Sequence, residues 1–235
     1  MEDFVLEEAV PADVSVLARL IYNGWSDDAF WQIVLGDGTA DQVLRWLEGF
    51  LAARFSQPHN KTFKIAEVST GRIVAYTNLL WPALEEHNEE AGKKQDGMTK
   101  SKEQPPPPPF ITNASLWTAF QVSLSTSRFG YDSTQHFHRR GTFVDVKCQR
   151  KGFGKWLTRH CNAIADEYGA ATFVGAKKKS RGMFAAMGFQ AVGVIEMDVS
   201  DWGGPGGERF NCLRRLPWQE CEIQGIEVPF EKEKF

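Results

Sequence analysis

Val14, Leu17, Ala18 and Ile21 recur at the spacing that gathers them on one side of a helix, and Pro11 stands just ahead, where a helix can open. The run FVLEEAV before it predicts a short strand. Val43, Leu47, Phe50 and Arg54, with Leu44 and Leu51 widening the stripe, predict a second helix over about 41–55. Two β-rich runs in TFKIAEVSTGRIVAYTNLLW flank Ser69-Thr70-Gly71 and predict a hairpin. Further on, Leu116, Phe120 and Leu124 mark a helix and FHRRGTFVDV a strand, while Leu157, Cys161, Ile164 and Tyr168 line a helix that Gly169 can end. ATFVGA reads as a buried strand, SRGMFAAM as a short helix, VGVIEMDV as a strand and RFNCLRRL as the last strand. This mixed order, with strand, loop, helix and strand at its centre, predicts an α/β layered domain.

The pattern lapses between Glu85 and Pro109, where charges and a five-proline tail leave almost nothing apolar. Such a segment cannot bury enough surface to fold alone. We therefore expect one domain over residues 1–235, interrupted by a disordered charged and proline-rich insertion at about 85–109. The prolines suit an extended spacer or, less simply, a docking site for a proline-binding module. The length of 235 residues and 42% hydrophobic content fit one sizeable core. A net charge of -3 supplies no basic field for nucleic acid. Cys148, Cys161, Cys212 and Cys221 form no C-x-x-C pair, and MEDFVLEEAV is acidic where a signal peptide is basic. These features predict reduced thiols in the cytoplasm, or in the nucleus. No apolar run has membrane-span length, and His136 and His138 have no further ligand at metal spacing.

The densest candidate chemistry is CQRKGFGKW, residues 148–156. A Walker loop would need a hydroxyl after Gly154-Lys155, where Trp156 stands, and a glycine where Gln149 stands. A dinucleotide fingerprint would need a glycine where Leu157 stands. What remains is a turn with two small residues, a following helix end and the cations Arg150, Lys151 and Lys155, which suits a pyrophosphate.

FVDVKCQRKGFGKWLTRHCNAIADEYG is similar to the acetyl-CoA-binding motif of the GNAT superfamily of N-acetyltransferases, and GAKKKSRGMFAAMGFQAVGVIEMDV resembles that family's next strand, short helix and closing strand. The two matches cover roughly residues 138–200. The resemblance implies the GNAT fold, a mixed central sheet flanked by helices whose two central strands splay apart. It implies acetyl-CoA as cosubstrate, with the backbone of Phe143 and Val144 along the pantetheine arm. Gln149, Arg150, Lys151, Gly152, Phe153, Gly154 and Lys155 would surround the pyrophosphate. It also implies an acetyltransferase acting by direct attack of an amine in a ternary complex, on a small amine acceptor, as a monomer or homodimer. A catalytically weak acyl-CoA-binding protein and a protein or peptide N-acetyltransferase are the alternatives.

His138, Arg140, Thr142 and Val144 share a strand face by the period of two, and His138 falls where some relatives place a general base. The plainer reading is that His136 and His138 are ordinary strand or loop histidines. Phe184 takes the position where many relatives carry a proton-donating tyrosine, and phenylalanine cannot donate. Asp145 and Ser180 are weaker polar candidates. Lys177 to Arg181 could meet an anionic ligand or form a solvated helix start. Tyr22, Trp25, Phe30 and Trp31 could wall an acceptor pocket or fill a core, and Asp27 and Asp28 could draw an ammonium or open a helix.

Overall fold

A computed structural model describes residues 2–36, 38–83, 108, 110 and 113–224. The expected insertion at about 85–109 thus lies outside the described residues, apart from Pro108. The strands are β1 (Phe4–Glu8), β2 (Asn60–Glu67), β3 (Ile73–Leu80), β4 (Phe137–Val144), β5 (Thr172–Ala176), β6 (Gln190–Asp198) and β7 (Gly207–Arg215). They form one sheet in the order β1-β2-β3-β4-β5-β7-β6. Every neighbouring pair is antiparallel except β4 and β5.

The helices are α1 (Val14–Trp25), α2 (Ala29–Leu35), α3 (Ala40–Phe55), α4 (Ala114–Thr126), α5 (Phe153–Tyr168), α6 (Lys178–Ala185) and α7 (Trp218–Gln224). Pro11 opens a single 3-10 turn, Pro11–Asp13, and α1 follows with Leu17, Ala18, Leu20 and Ile21 buried. The Thr39 hydroxyl accepts from the Gln42 amide while the Gln42 side chain accepts from the Thr39 amide, a reciprocal cap that fixes where α3 begins. Gly169, at φ 71°, ends α5 as its position predicts. Helix α2 was not among the predicted elements. Asp28 starts it by accepting from the Trp31 amide, as the helix-start reading of the adjacent acids expects.

Helices α1 and α3 cover one side of the sheet, over a core that includes Leu17, Ile21, Leu47 and Tyr76. Helix α5 covers the other with Phe153, Leu157 and Cys161 against Phe63, Ile65 and Phe137. Helix α6 brings Phe184 onto Val174 and Leu213. Helices α2 and α4 join residues of β6 in a third cluster around Phe30, Phe120 and Ile195. Leu124 and Tyr168, placed by period on buried faces, are instead exposed.

Two irregularities in β4 shape everything that follows. First, β4 and β5 pair only from Phe137–Thr172 to Arg139–Val174. Beyond that point β4 runs on to Val144 alongside β3 alone, while Gly175 and Ala176 pair only with β7. The expected splay of the two central strands is therefore present. Second, Thr77 pairs with Thr142 but Leu79 pairs with Arg139, so three steps along β4 match two along β3. Gly141 sits within that bulge at φ 93°, a left-handed angle that glycine adopts without strain.

The extra residue reverses the alternation of side chains. Arg139 reaches Thr158 of α5, and Thr142 and Val144 lie on that same side. Arg140 reaches Gln57 at the end of α3, on the opposite side, where His138 also lies near Arg54. The expectation that His138, Arg140, Thr142 and Val144 share one face is thus corrected: a bulge between residues 140 and 142 turns the first pair over relative to the second.

Candidate active site

The loop from β4 to α5 is held in shape by its own side chains. Asp145 accepts from the Lys147 amide at 2.9 Å, so it shapes the turn, and buried Cys148 anchors it. Gln149 Nε2 donates to the Val144 carbonyl at 3.3 Å, tying the loop back to the strand it left. Arg150 at φ 64° and Gly152 at φ 92° then bend the chain onto the first turn of α5. Gly152 is the helix cap and offers no side chain, so the amides of residues 152–155 have no partner inside the helix. The first internal bond is from the Trp156 amide to the Gly152 carbonyl at 2.9 Å. These amides, together with the positive end of α5 and the exposed side chains of Arg150, Lys151 and Lys155, form an anion cradle.

Phe153 has a different part. Its ring is 2% exposed and packs edge-on against Phe4, so it anchors the helix and contributes only its amide to the cradle. Gly154 lies where the loop, the splay and α6 converge: a Cβ there would stand 3.1 Å from Met183 Sδ and 4.0 Å from Val144 Cγ2.

Register decides which backbone groups face the opening. The Asp145 amide donates to the Val74 carbonyl, so the Val144 carbonyl points the other way, toward β5. Val144 therefore turns its N–H toward the gap, together with a carbonyl that already accepts from Gln149, while Phe143, one residue earlier, exchanges its pair with Tyr76 of β3. Of the two residues expected along the pantetheine arm, Val144 is the one whose backbone faces the gap. Phe143 supplies a wall instead. Its ring stacks on Tyr76 at 5.6 Å and stands 6.1 Å from Trp25, and a Cβ on Gly24 would come within 2.8 Å of it.

His138 lies on the α3 side, with its ring 5.0 Å from that of Tyr131. Burial, then the charges of Arg140 and Arg54, push its pKa down to about 3. The imidazole is neutral at physiological pH but takes up a proton weakly, which argues for packing rather than for a general base. Phe184 is 3% exposed in the α6 core, stacked edge-on with Phe189. Ser180 turns its hydroxyl to the Lys177 carbonyl at 3.2 Å.

Three features of the site escaped the sequence. Lys177, the first residue past β5, matches neither reading of the lysine run. Its ammonium sits 3.0 Å from Asp28 Oδ1 and 2.7 Å from Glu208 Oε2, over the rings of Phe30 and Phe210 at 5.1 and 4.6 Å. Lys178, Lys179 and Arg181 are exposed. Trp25 and Trp31 stack at 3.8 Å beside this cluster's helix. Arg139 is the second, buried behind the splay. The bulge is the third, and it alone had a signal: a lone glycine, Gly141, inside a strand pattern. Among the described residues no group of three His, Cys, Asp or Glu side chains could hold a metal ion, and no helix is long and apolar enough to cross a membrane.

No protein-family model and no curated protein matches the sequence. Solved structures do match in fold. Histone acetyltransferase HPA2 and related acetyltransferase from Corynebacterium glutamicum is 14% identical, covering 92% of this chain and 97% of its own, with a TM-score of 0.55. Spermidine N-acetyltransferase from Vibrio cholerae is 10% identical over 97% of this chain and 100% of its own, at 0.53. An acetyltransferase of the GNAT family from Streptococcus pneumoniae is 11% identical over 91% and 99%, at 0.51.

Proposed function

The chain has the GNAT acetyltransferase fold, and on that premise we propose that it is an acetyl-CoA-dependent N-acetyltransferase acting on a small amine. The observation that carries the reading is the open edge of β4 beside the uncapped start of α5. Backbone groups of Val144 stand next to free amides of residues 152–155, and Arg150, Lys151 and Lys155 border them. An amide-bearing thread lies naturally along such an edge, and a diphosphate in such a cradle. Acetyl-CoA, when bound, supplies an activated acetyl group. Val144 holds and orients the arm, the loop amides and cations hold the diphosphate, and the Phe143 ring excludes water from one side. Since His138 is weakly basic, the acceptor ammonium gives its proton to water before the neutral amine attacks.

The acceptor side supports a small amine. Trp25, Trp31 and Phe143 give aromatic walls that suit a cationic acceptor. A second reading, acyl-CoA binding without efficient transfer, is favoured by one observation: Phe184 offers no proton to a departing thiol. Calorimetry with acetyl-CoA, followed by thiol release over panels of small amines and of peptides, tests both. Binding with release for small amines is expected. Absence of binding overturns the function; binding with no release for any amine selects the second reading; release only with peptides moves the acceptor to proteins.

A further inference from the structure

Arg139 is the last residue of β4 to pair with β5, so it stands where the two strands part. Its side chain is 1% exposed. Nη1 donates to Thr158 Oγ1 at 2.8 Å, Nη2 donates to Thr77 Oγ1 and Thr142 Oγ1 at 2.9 Å each, and Nε has no partner. Its Cζ lies 5.3 Å from the centre of the Phe184 ring. Among the described residues no carboxylate faces this guanidinium. Among the described residues the titratable neighbour with a bearing on it is the Cys161 thiol, whose own burial pushes its pKa up and keeps it neutral.

A guanidinium stays charged when buried, and a buried charge without a counter-ion is costly to keep. The hydroxyls around it do not require it. Thr158 already donates to the Gly154 carbonyl at 2.6 Å, and Thr77 to the Gly141 carbonyl at 2.9 Å. A neutral side chain could fill the space between β3, β4 and α5; what it could not do is meet an anion. The diphosphate has its own cations in the exposed loop. Arg139 lies deeper, level with Thr158 inside α5, against Thr142 and the Phe184 ring, at the point where β4 and β5 part.

Resting on the function proposed above, we propose that Arg139 offsets the negative charge of the coenzyme thiolate as it leaves. The acceptor ammonium first gives one proton to water; the neutral amine nitrogen then forms its bond to the thioester carbon, the C–S electron pair goes to sulfur, and the second nitrogen proton goes to water. The sulfur departs unprotonated, beside a ring that has no proton to give and a cation that lowers its energy. Arg139 thereby acts through its field, where proton donation is absent.

Titration of free coenzyme A bound to the full chain, followed by thiolate ultraviolet absorbance, tests this without turnover. In the unsubstituted protein the bound thiol is expected to ionise about one to three pH units below free coenzyme A. In Arg139→Met it should ionise at or above the free value, with a thermal midpoint no lower than that of the parent, since the buried charge is gone. Coenzyme bound to the parent with an ordinary thiol pKa, or a low thiol pKa that survives in Arg139→Met, overturns this inference alone. Absence of coenzyme binding overturns the function and this inference with it. The parent measurement decides even where the variant does not fold.

Discussion

The two sides of the splay are built from different materials. On the α5 side the candidate site is backbone: amides at a helix start with no partner inside the helix, and the Val144 edge that β5 leaves unpaired, all within residues 144–155. On the α1 side it is made of side chains drawn from five places, Trp25, Asp28, Phe143, Lys177 and Glu208, with the Lys177 ion pairs spanning 149 and 31 positions of sequence. A backbone site depends on chain conformation and tolerates many side chains. A side-chain site depends on each partner and can change its ligand by a single substitution. Binding of the invariant half of a ligand belongs naturally on the first, and choice of acceptor on the second.

The sharpest test of that contrast is Gly152→Val. It forces a branched residue into a left-handed angle of φ 92°. Strain of about 2 kcal/mol would lower coenzyme affinity about 30-fold by calorimetry. Lys151→Ala removes one exposed cation and should cost only about threefold. Equal losses would break the backbone account. Next in size is Lys177→Met, which leaves Asp28 and Glu208 uncompensated. With partners about a quarter exposed, the loss should be about 1–2 kcal/mol in denaturant unfolding. Glu208→Gln in the same chain should recover part of it, and an unchanged midpoint in Lys177→Met would show the cluster to be idle.

The smallest effect concerns His138. Burial holds its pKa down to about 3, below the unfolded value of about 6.5. Between those limits the unfolded chain binds the extra proton, so the stability His138 allows is complete above pH 6.5 and declines as pH falls toward 3. By about pH 5.8 the decline should be about 1 kcal/mol, and His138→Gln should flatten it. Amine acetylation by His138→Gln at neutral pH should stay within about threefold of the parent. A loss of a hundredfold would restore the base role.

What was legible follows the same division. CQRKGFGKW spelled out its loop because φ-permissive glycines, cations and a helix start are adjacent in sequence. The second match fixed β5, α6 and β6 for the same reason. The period of two failed at β4 because pattern matching has no place for an extra residue, although Gly141 marked it. Helix α2 was hidden because AFWQIVL spans only seven residues and is apolar nearly all round, leaving no stripe to count. Arg139 and Arg140 are identical in composition and adjacent, yet one is sealed among threonines and the other reaches Gln57. Nothing local separates them.

The bulge carries a consequence for how this chain can change over generations. Removing residue 141 would restore a regular ladder and, with residues 142–144 held in place, carry Arg139 through to the α3 side and His138 to the α5 side. Substitutions around it alter one contact; a single-codon deletion would exchange the two linings wholesale. Descendants of this gene should thus keep the count of letters along β4 fixed.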